Sequence, residues 1–413
     1  MSKGRTNKSV IAVSKFDELT PEAYERSAEN AIRLLGAHRF AGLVRGGRVV
    51  LKPNLVNPMP PKEAIATHPY AVRAMALLCK RAGAEEVILA ESSSRAPIGY
   101  LMRSECIGMN DLMPELPFLK ILDFSDDEKE EVAIPQPLAL KRWLMPRTLK
   151  DAVLISIPKM KTHALARATL GIKNIGMGCT PGVDYCWSFA DSDAWFREGL
   201  VRTGGDPYRM MSEGRSDRFH VMPGLTYPCY AWRNMKFKLH YQALLGWYDI
   251  HGSKPYKGNL KNLDSDAMYA DIAHVAGLHR GLTIVDAGLA LEGNGPSYTP
   301  PSWDVKLSYP LDMRKRVGSY LLVAGFDPVA TDTICSLIMG WTEEEFSIDG
   351  PQAIQFAAEK GMGTCDPDRI VVKGVASIED VVAKPAFYRP PYRLNHNEEQ
   401  ARTLDLPIPY PIE

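Results

Sequence analysis

The sequence predicts an α/β fold: a mainly parallel, doubly wound sheet with helices on both faces and a long aromatic-rich insertion. Three observations carry this expectation. Val49–Leu55, Val87–Ala90, Val153–Ile157, Leu282–Val285, Leu321–Ala324 and Ile370–Val372 are short apolar runs rich in β-branched residues, the composition of buried strands. Helical spacing fills the intervals between several of them, and strand–helix–strand units build parallel sheets through right-handed crossovers. Between 180 and 258 the periodicity dissolves, and this stretch holds Trp187, Trp195, Trp232 and Trp247, four of the seven tryptophans.

The elements follow in order. Strand Val49–Leu55 passes into Lys52-Pro53-Asn54, and Thr67-His68-Pro69 opens a helix, with Thr67 as N-cap and Pro in the first turn. That helix runs through Ala71, Met75 and Leu78 toward Gly83, and the next strand ends in Glu91-Ser92-Ser93-Ser94. The run Asp151–Pro158 is a central strand, followed directly by Lys159-Met160-Lys161-Thr162-His163 and then by Gly171-Ile172-Lys173-Asn174. Ile284-Val285-Asp286 ends another strand, and Glu292 lies beside a Gly293-Asn294-Gly295-Pro296 turn that needs positive φ. Asp327-Pro328 is an N-cap with Pro at N1 for a helix to Met339, and Asp332 inside it is a buried polar anchor. One domain over 8–384 is expected, with 180–258 as an insertion serving as lid, pocket wall or oligomer contact. The tail 385–413, rich in Pro and charge, is expected to run extended over the surface.

Composition narrows the function. Lys+Arg and Asp+Glu balance at 49 each, which argues against a polyanion-binding surface and so against nucleic acid. No apolar run reaches the roughly 18 residues of a membrane span, and Val10–Val13 is too short for a secretory core, so the cytoplasm is the expected compartment. The seven cysteines form no C-x-x-C pair, which leaves an iron–sulfur cluster and a zinc ribbon unsupported. Cys79 and Cys335 sit in apolar helical patterns and read as core.

In a parallel sheet the strand C-termini converge on one crevice, where such folds place ligand chemistry. Lys52, Asn54, Glu91, Ser92, Lys159, Lys173, Asn174 and Asn294 are therefore the candidate substrate-binding residues. Lys161, His163 and Asp286 are the candidate catalytic ones. Lysines crowded in a desolvated site depress one another's pKa and suit acid–base or Schiff-base work. Asp286 and Glu292 are the candidate ligands for a divalent metal.

Six segments, VLKPNL, THPYAVRAMALLCKRAGA, SIPKMKTH, TLGIKNIGMG, IVDAGLALEGNGP and AGFDPVATD, together resemble the family catalogued as domain of unknown function 362. The resemblance spans roughly Val49 to Gly363, interrupted by the aromatic stretch. It implies an α/β fold, distantly similar to that of lactate racemase and its nickel-pincer relatives. The histidine pattern of that enzyme has no counterpart here, so its cofactor is not carried over. Some family members bear a ferredoxin-like cysteine segment, which this chain lacks.

The expected function is an enzyme on a small anionic metabolite, a carboxylate or phosphate ester, catalysing isomerisation, racemisation or elimination. A redox enzyme with a borrowed cofactor and a non-catalytic binding or assembly protein are the alternatives. Homo-oligomers are compatible with all three.

Overall fold

The computed structural model describes residues 8–92, 98–138, 142–163, 166–180, 260–293, 295, 308–342 and 350–389, with backbone alone for 260–265. The aromatic stretch 181–258, Asn294 and the tail beyond 389 lie outside the described residues.

The chain opens with β1 (Ser9–Phe16), α1 (Pro21–Leu35) and α2 (Ala37–Val44). Next come β2 (Arg48–Pro53), α3 (Pro69–Arg81), β3 (Glu86–Glu91), α4 (Ile98–Leu101) and β4 (Leu119–Asp123). A separate two-stranded ribbon, β5 (Lys129–Ala133) with β6 (Arg142–Pro146), leads to β7 (Val153–Ile157), β8 (Lys159–His163), β9 (Arg167–Thr169) and α5 (Gly171–Gly178). After the aromatic stretch follow α6 (Leu260–Val275), β10 (Leu282–Gly293), β11 (Ser308–Asp312), α7 (Arg314–Val317) and β12 (Tyr320–Gly325). The described chain closes with α8 (Pro328–Ile338), α9 (Gln352–Glu359) and β13 (Ile370–Lys373).

The main sheet has the order β13-β1-β12-β10-β7-β2-β3-β4. Pairing is parallel from β4 through β3, β2 and β7 to β10, is broken by β12, which is antiparallel to both β10 and β1, and is parallel again between β1 and β13. The sheet is therefore mixed. β11 pairs with residues 289–293 of β10 and β12 with 283–287, so the chain doubles back along one edge of β10 with only α7 interrupting it. An antiparallel return of this kind needs no crossover.

Alternate residues of the central strands meet different helices. Ser14 of β1 accepts a 3.0 Å hydrogen bond from Ser27 of α1, whereas Gly325, paired with Ile11, abuts Thr331 of α8. The sheet's hydrophobic side chains are almost wholly buried: Val49, Val50, Leu51, Ile155, Val323 and Ala324 expose nothing. Burying each of the Val, Leu and Ile side chains stabilises the fold by about 1.5–3 kcal/mol before entropy is subtracted.

Helix starts follow local chemistry. Asp327 accepts from the Ala330 N–H at 2.8 Å with Pro328 next in line, as its sequence predicts. The α3 cap is His68, whose Nδ1 accepts the Tyr70 N–H, one residue later than expected. Thr67 is committed elsewhere: its Oγ1 accepts the Asn54 N–H at 2.8 Å and donates to the Ile157 carbonyl at 2.6 Å, stitching β2 to β7. The segment Lys159–His163, expected to leave a strand end, is itself a strand. Beyond Pro385 the chain still packs: Phe387 is buried, and the Tyr388 N–H donates to Glu292 at 2.8 Å.

Candidate functional site

Five polar residues from four elements meet beneath α5. Lys52, at the end of β2, forms a fully buried ion pair with Glu91, the last residue of β3, at 2.6 Å. The Glu91 carboxylate also accepts the Leu55 N–H at 2.7 Å and the Ser92 N–H at 2.9 Å. Asn174 of α5 donates to the Lys52 carbonyl at 2.9 Å and to Ser156 Oγ at 3.1 Å, and its Oδ1 accepts from Asn54 at 3.3 Å. Gly178 makes room for the pair, since a Cβ there would stand 2.4 Å from Lys52 Nζ. The start of α5 is fixed by Asp332, which accepts the Gly171 and Ile172 N–H groups at 2.8 Å each, the anchoring role expected of it.

Lys161 reaches this network from β8. Its Nζ donates to Asn54 Oδ1 and to the Ile65 carbonyl, both at 2.5 Å, and its side chain is buried. Among the described residues no carboxylate lies within ion-pair distance of it. Burial, then the charges of Lys173 and Lys159, hold its pKa well below the ordinary lysine value, with Glu91 only partly opposing them. A neutral amine fits the contacts: two N–H bonds are donated to two acceptors, and a lone pair remains. The sequence places this residue among lysines crowded at a strand end, and in the fold its side chain is buried there.

Lys173, on α5, is half-buried, and among the described residues it has no acid partner. Its Nζ lies 6.0 Å over the Tyr269 ring of α6, and burial with the neighbouring Lys52 lowers its pKa to about 8. His163 is half-buried at the end of β8, and its Nδ1 accepts the Ala166 N–H at 3.1 Å. Burial, then Lys173 and Lys161, drive its pKa well below 6.5, so the ring is neutral and its proton sits on Nε2. Arg167, paired with His163 across the β8–β9 hairpin, has φ 59°, a conformation uncommon outside glycine.

Asp286 lies in a second cluster. Lys159 Nζ is 2.5 Å from its Oδ2, which also accepts the His68 N–H at 2.8 Å. Its Oδ1 accepts from Tyr24 Oη and the Gly288 N–H, each at 3.1 Å. Burial alone would raise the Asp286 pKa, but Lys159 and His68 hold it below the usual value, so it stays a carboxylate. Tyr24 stacks on His68 at 5.1 Å, and burial lowers the His68 pKa to about 4. The saturated Asp286 is built as a counter-ion for Lys159 rather than as a proton carrier.

Glu292 is committed to Arg316 at 2.9 Å and to the Tyr388 N–H. It stands six residues from Asp286 on β10, on the order of 20 Å along an extended strand. The structure therefore does not bring the two acids together as a metal site. Among the described residues no group of three or more His, Cys, Asp or Glu side chains could hold a metal ion. Asn294 lies outside the described residues, although Gly293 before it has the positive φ, 92°, that the turn requires. The structure thus joins Lys52, Asn54, Glu91, Lys161 and Asn174 by direct contact, with Lys173 and His163 close enough for their charges to interact.

Three residues of these clusters escaped the sequence reading. Tyr24 precedes every recognisable motif, and His68 was absorbed into a helix start. Asp266 of α6 is fully buried, and neither carboxylate oxygen has a hydrogen-bond partner. It sits one turn before Tyr269, but no local pattern marks it as polar and buried.

Among the described residues no helix is long and apolar enough to cross a membrane. No solved structure matches the chain. A curated relative, the thylakoid-associated protein sll1697 of Synechocystis sp., is 32% identical over 163 residues, 38% of this chain and 48% of that protein. The match thus spans about half the relative's length. The model of the family described as Domain of unknown function (DUF362) matches residues 49–336, through β2, the lysine-bearing β8, α5, β10 and most of α8, and the chain belongs to that family.

Proposed function

We propose that the protein is an enzyme that binds a small anionic metabolite and moves a proton on the carbon next to its carbonyl, as in isomerisation, racemisation or elimination. The observation that carries this reading is the Lys161 amine, buried against Asn54 Oδ1 and the Ile65 carbonyl with no carboxylate against it among the described residues. Burial and neighbouring cations disfavour the protonated form of this lysine, which suits a base or nucleophile of the kind such chemistry needs. Lys173, half-buried and without an acid partner among the described residues, supplies positive charge for the anionic group. His163, near enough to Lys161 and Lys173 for their charges to act on it, is the proposed partner in proton transfer. Lys52 and Glu91 satisfy each other, and Asn54 and Asn174 hold Lys161 and that pair in register, so these four position the site.

The aromatic stretch 180–258 leaves the chain directly after α5, which suits a pocket wall. The test is solvent exchange. Incubated in D2O with a panel of small 2-oxo, 2-hydroxy and phosphorylated acids, the protein should place deuterium beside the carbonyl or carboxylate of at least one, and Lys161→Met should abolish this. Tight binding of a panel member with no exchange would make the protein a binding module and end the enzymatic reading.

A further inference from the structure

Asp266 is the most anomalous polar group among the described residues. Both carboxylate oxygens are buried and neither accepts a hydrogen bond, whereas buried carboxylates elsewhere in the fold are saturated: Asp286 by four donors and Asp332 by two backbone amides. Leaving such a group unpaired is costly, and folds seldom carry that cost without a use for the group.

Its surroundings say what it faces. Asp266 and Tyr269 are three residues apart on α6 and so share a face. That face meets α5: a Cβ on Gly176 would lie 2.4 Å from the Tyr269 Cα, and Lys173, three residues before Gly176, stands over the Tyr269 ring at 6.0 Å. Asp266 therefore points toward the same helix face as Lys173. The two feel each other's charge, yet they do not close to an ion pair. An anionic acceptor and a cationic donor are held apart, side by side, and the donor's charge also acts on Lys161 and His163.

We infer that Asp266 and Lys173 together form a receptor for a zwitterion, a free amino acid or a close relative, with the ligand's ammonium on Asp266 and its carboxylate on Lys173. The inference rests on the anion-binding reading of Lys173 and narrows it to a substrate class. Two unpartnered oxygens call for a multivalent donor: an ammonium carries three N–H groups and a positive charge, while a hydroxyl offers one bond and no charge. Burial also pushes the Asp266 carboxyl up to about 7, as expected of a carboxylate waiting for a counter-ion. Arg167, whose charge also acts on Asp266, is the third group facing it.

The experiment is a melting-temperature screen of the full chain with the twenty proteinogenic amino acids. Each is compared with its N-acetyl derivative and with the acid of the same carbon skeleton lacking the amine. At roughly ten times Kd at least one free amino acid should raise the melting temperature by about 2 °C or more. Its acetylated and deaminated counterparts should bind at least tenfold more weakly. Asp266→Asn should erase that preference, and Lys173→Met should weaken amino acid and deaminated acid alike. Equal binding of deaminated acids by the unmodified protein overturns the zwitterion receptor and leaves the anion-binding reading standing. A preference for the amine that survives in Asp266→Asn also overturns it. If no acid binds, with or without an amine, both readings fall. Should Asp266→Asn not fold, the comparison of amino acid with deaminated acid in the unmodified protein still decides.

Discussion

Lys161 Nζ lies 2.5 Å from Asn54 Oδ1, and the partner it meets is a neutral amide rather than a carboxylate. This separates Lys161 from Lys52 and Lys159, which are equally buried but each closed on an acid, Glu91 at 2.6 Å and Asp286 at 2.5 Å. Within one strand-end region two buried lysines thus face carboxylates, and a third faces neutral oxygen acceptors among the described residues. In the proposed function this difference is what singles out Lys161.

Lys161→Met should reduce turnover at least a hundredfold if the amine moves the proton. It should also cost about 1–3 kcal/mol of stability, because Asn54 Oδ1 and the Ile65 carbonyl lose their donor while remaining buried. Urea unfolding beside the exchange assay checks both. An unfolded Lys161→Met would make the residue structural.

Asp286→Asn should be far more damaging to folding, by about 3–5 kcal/mol, since it strands the buried Lys159 ammonium without a counter-charge. The urea midpoint measures this. A loss below about 1 kcal/mol would show that Lys159 is not held as an ion.

The strand framework was legible because buried strands announce themselves by composition. Val153–Ile157 is a strand with those bounds, and Val49, Val87 and Ile284 lie in strands as expected. The lysine-rich β8 was not legible as a strand, because its pairing with β10 comes from a chain segment more than a hundred residues away. The reversal at β12 was hidden for the same reason: direction is set by the path around β11, and no residue of Tyr320–Gly325 encodes it. Within the site, clustering of Lys52, Asn54, Glu91, Lys161 and Asn174 could be anticipated from their strand-end positions. Which lysine lacks an acid could not, since that depends on side-chain partners brought together by the fold.

Stability should fall in acid partly through His68. Its pKa is lowered by burial from 6.5 to about 4, so the unfolded chain takes up a proton before the folded one. The contribution is complete above pH 6.5 and is lost as pH drops toward 4, amounting to about 3 kcal/mol at the limit. His68→Asn keeps a good N-cap for α3 without a titrating ring. Its urea midpoint should therefore change less between pH 7 and pH 4.5 than that of the unmodified protein, and an equal change would acquit His68.

Asp266 runs the other way. Its pKa is raised by burial from 3.8 to about 7, so its stabilising contribution is complete in acid and is lost as pH rises through 7. Asp266→Asn should make the ligand-free protein more stable at pH 8, on the order of 1–3 kcal/mol, with a smaller gain at pH 5. A destabilised variant at pH 8 would mean that the carboxylate has a partner in the folded protein.

The protonation state of Lys161 is the most direct measurement of the central claim. With 13C-labelled lysine, the Lys161 Cε resonance can be assigned by its loss in Lys161→Met and followed against pH by NMR. The Lys161 amine is expected to take up its proton at a pH well below that at which the exposed lysines do. A Lys161 signal that titrates together with the exposed lysines would contradict a role for Lys161 as base, because at pH 7 the group would then carry no lone pair.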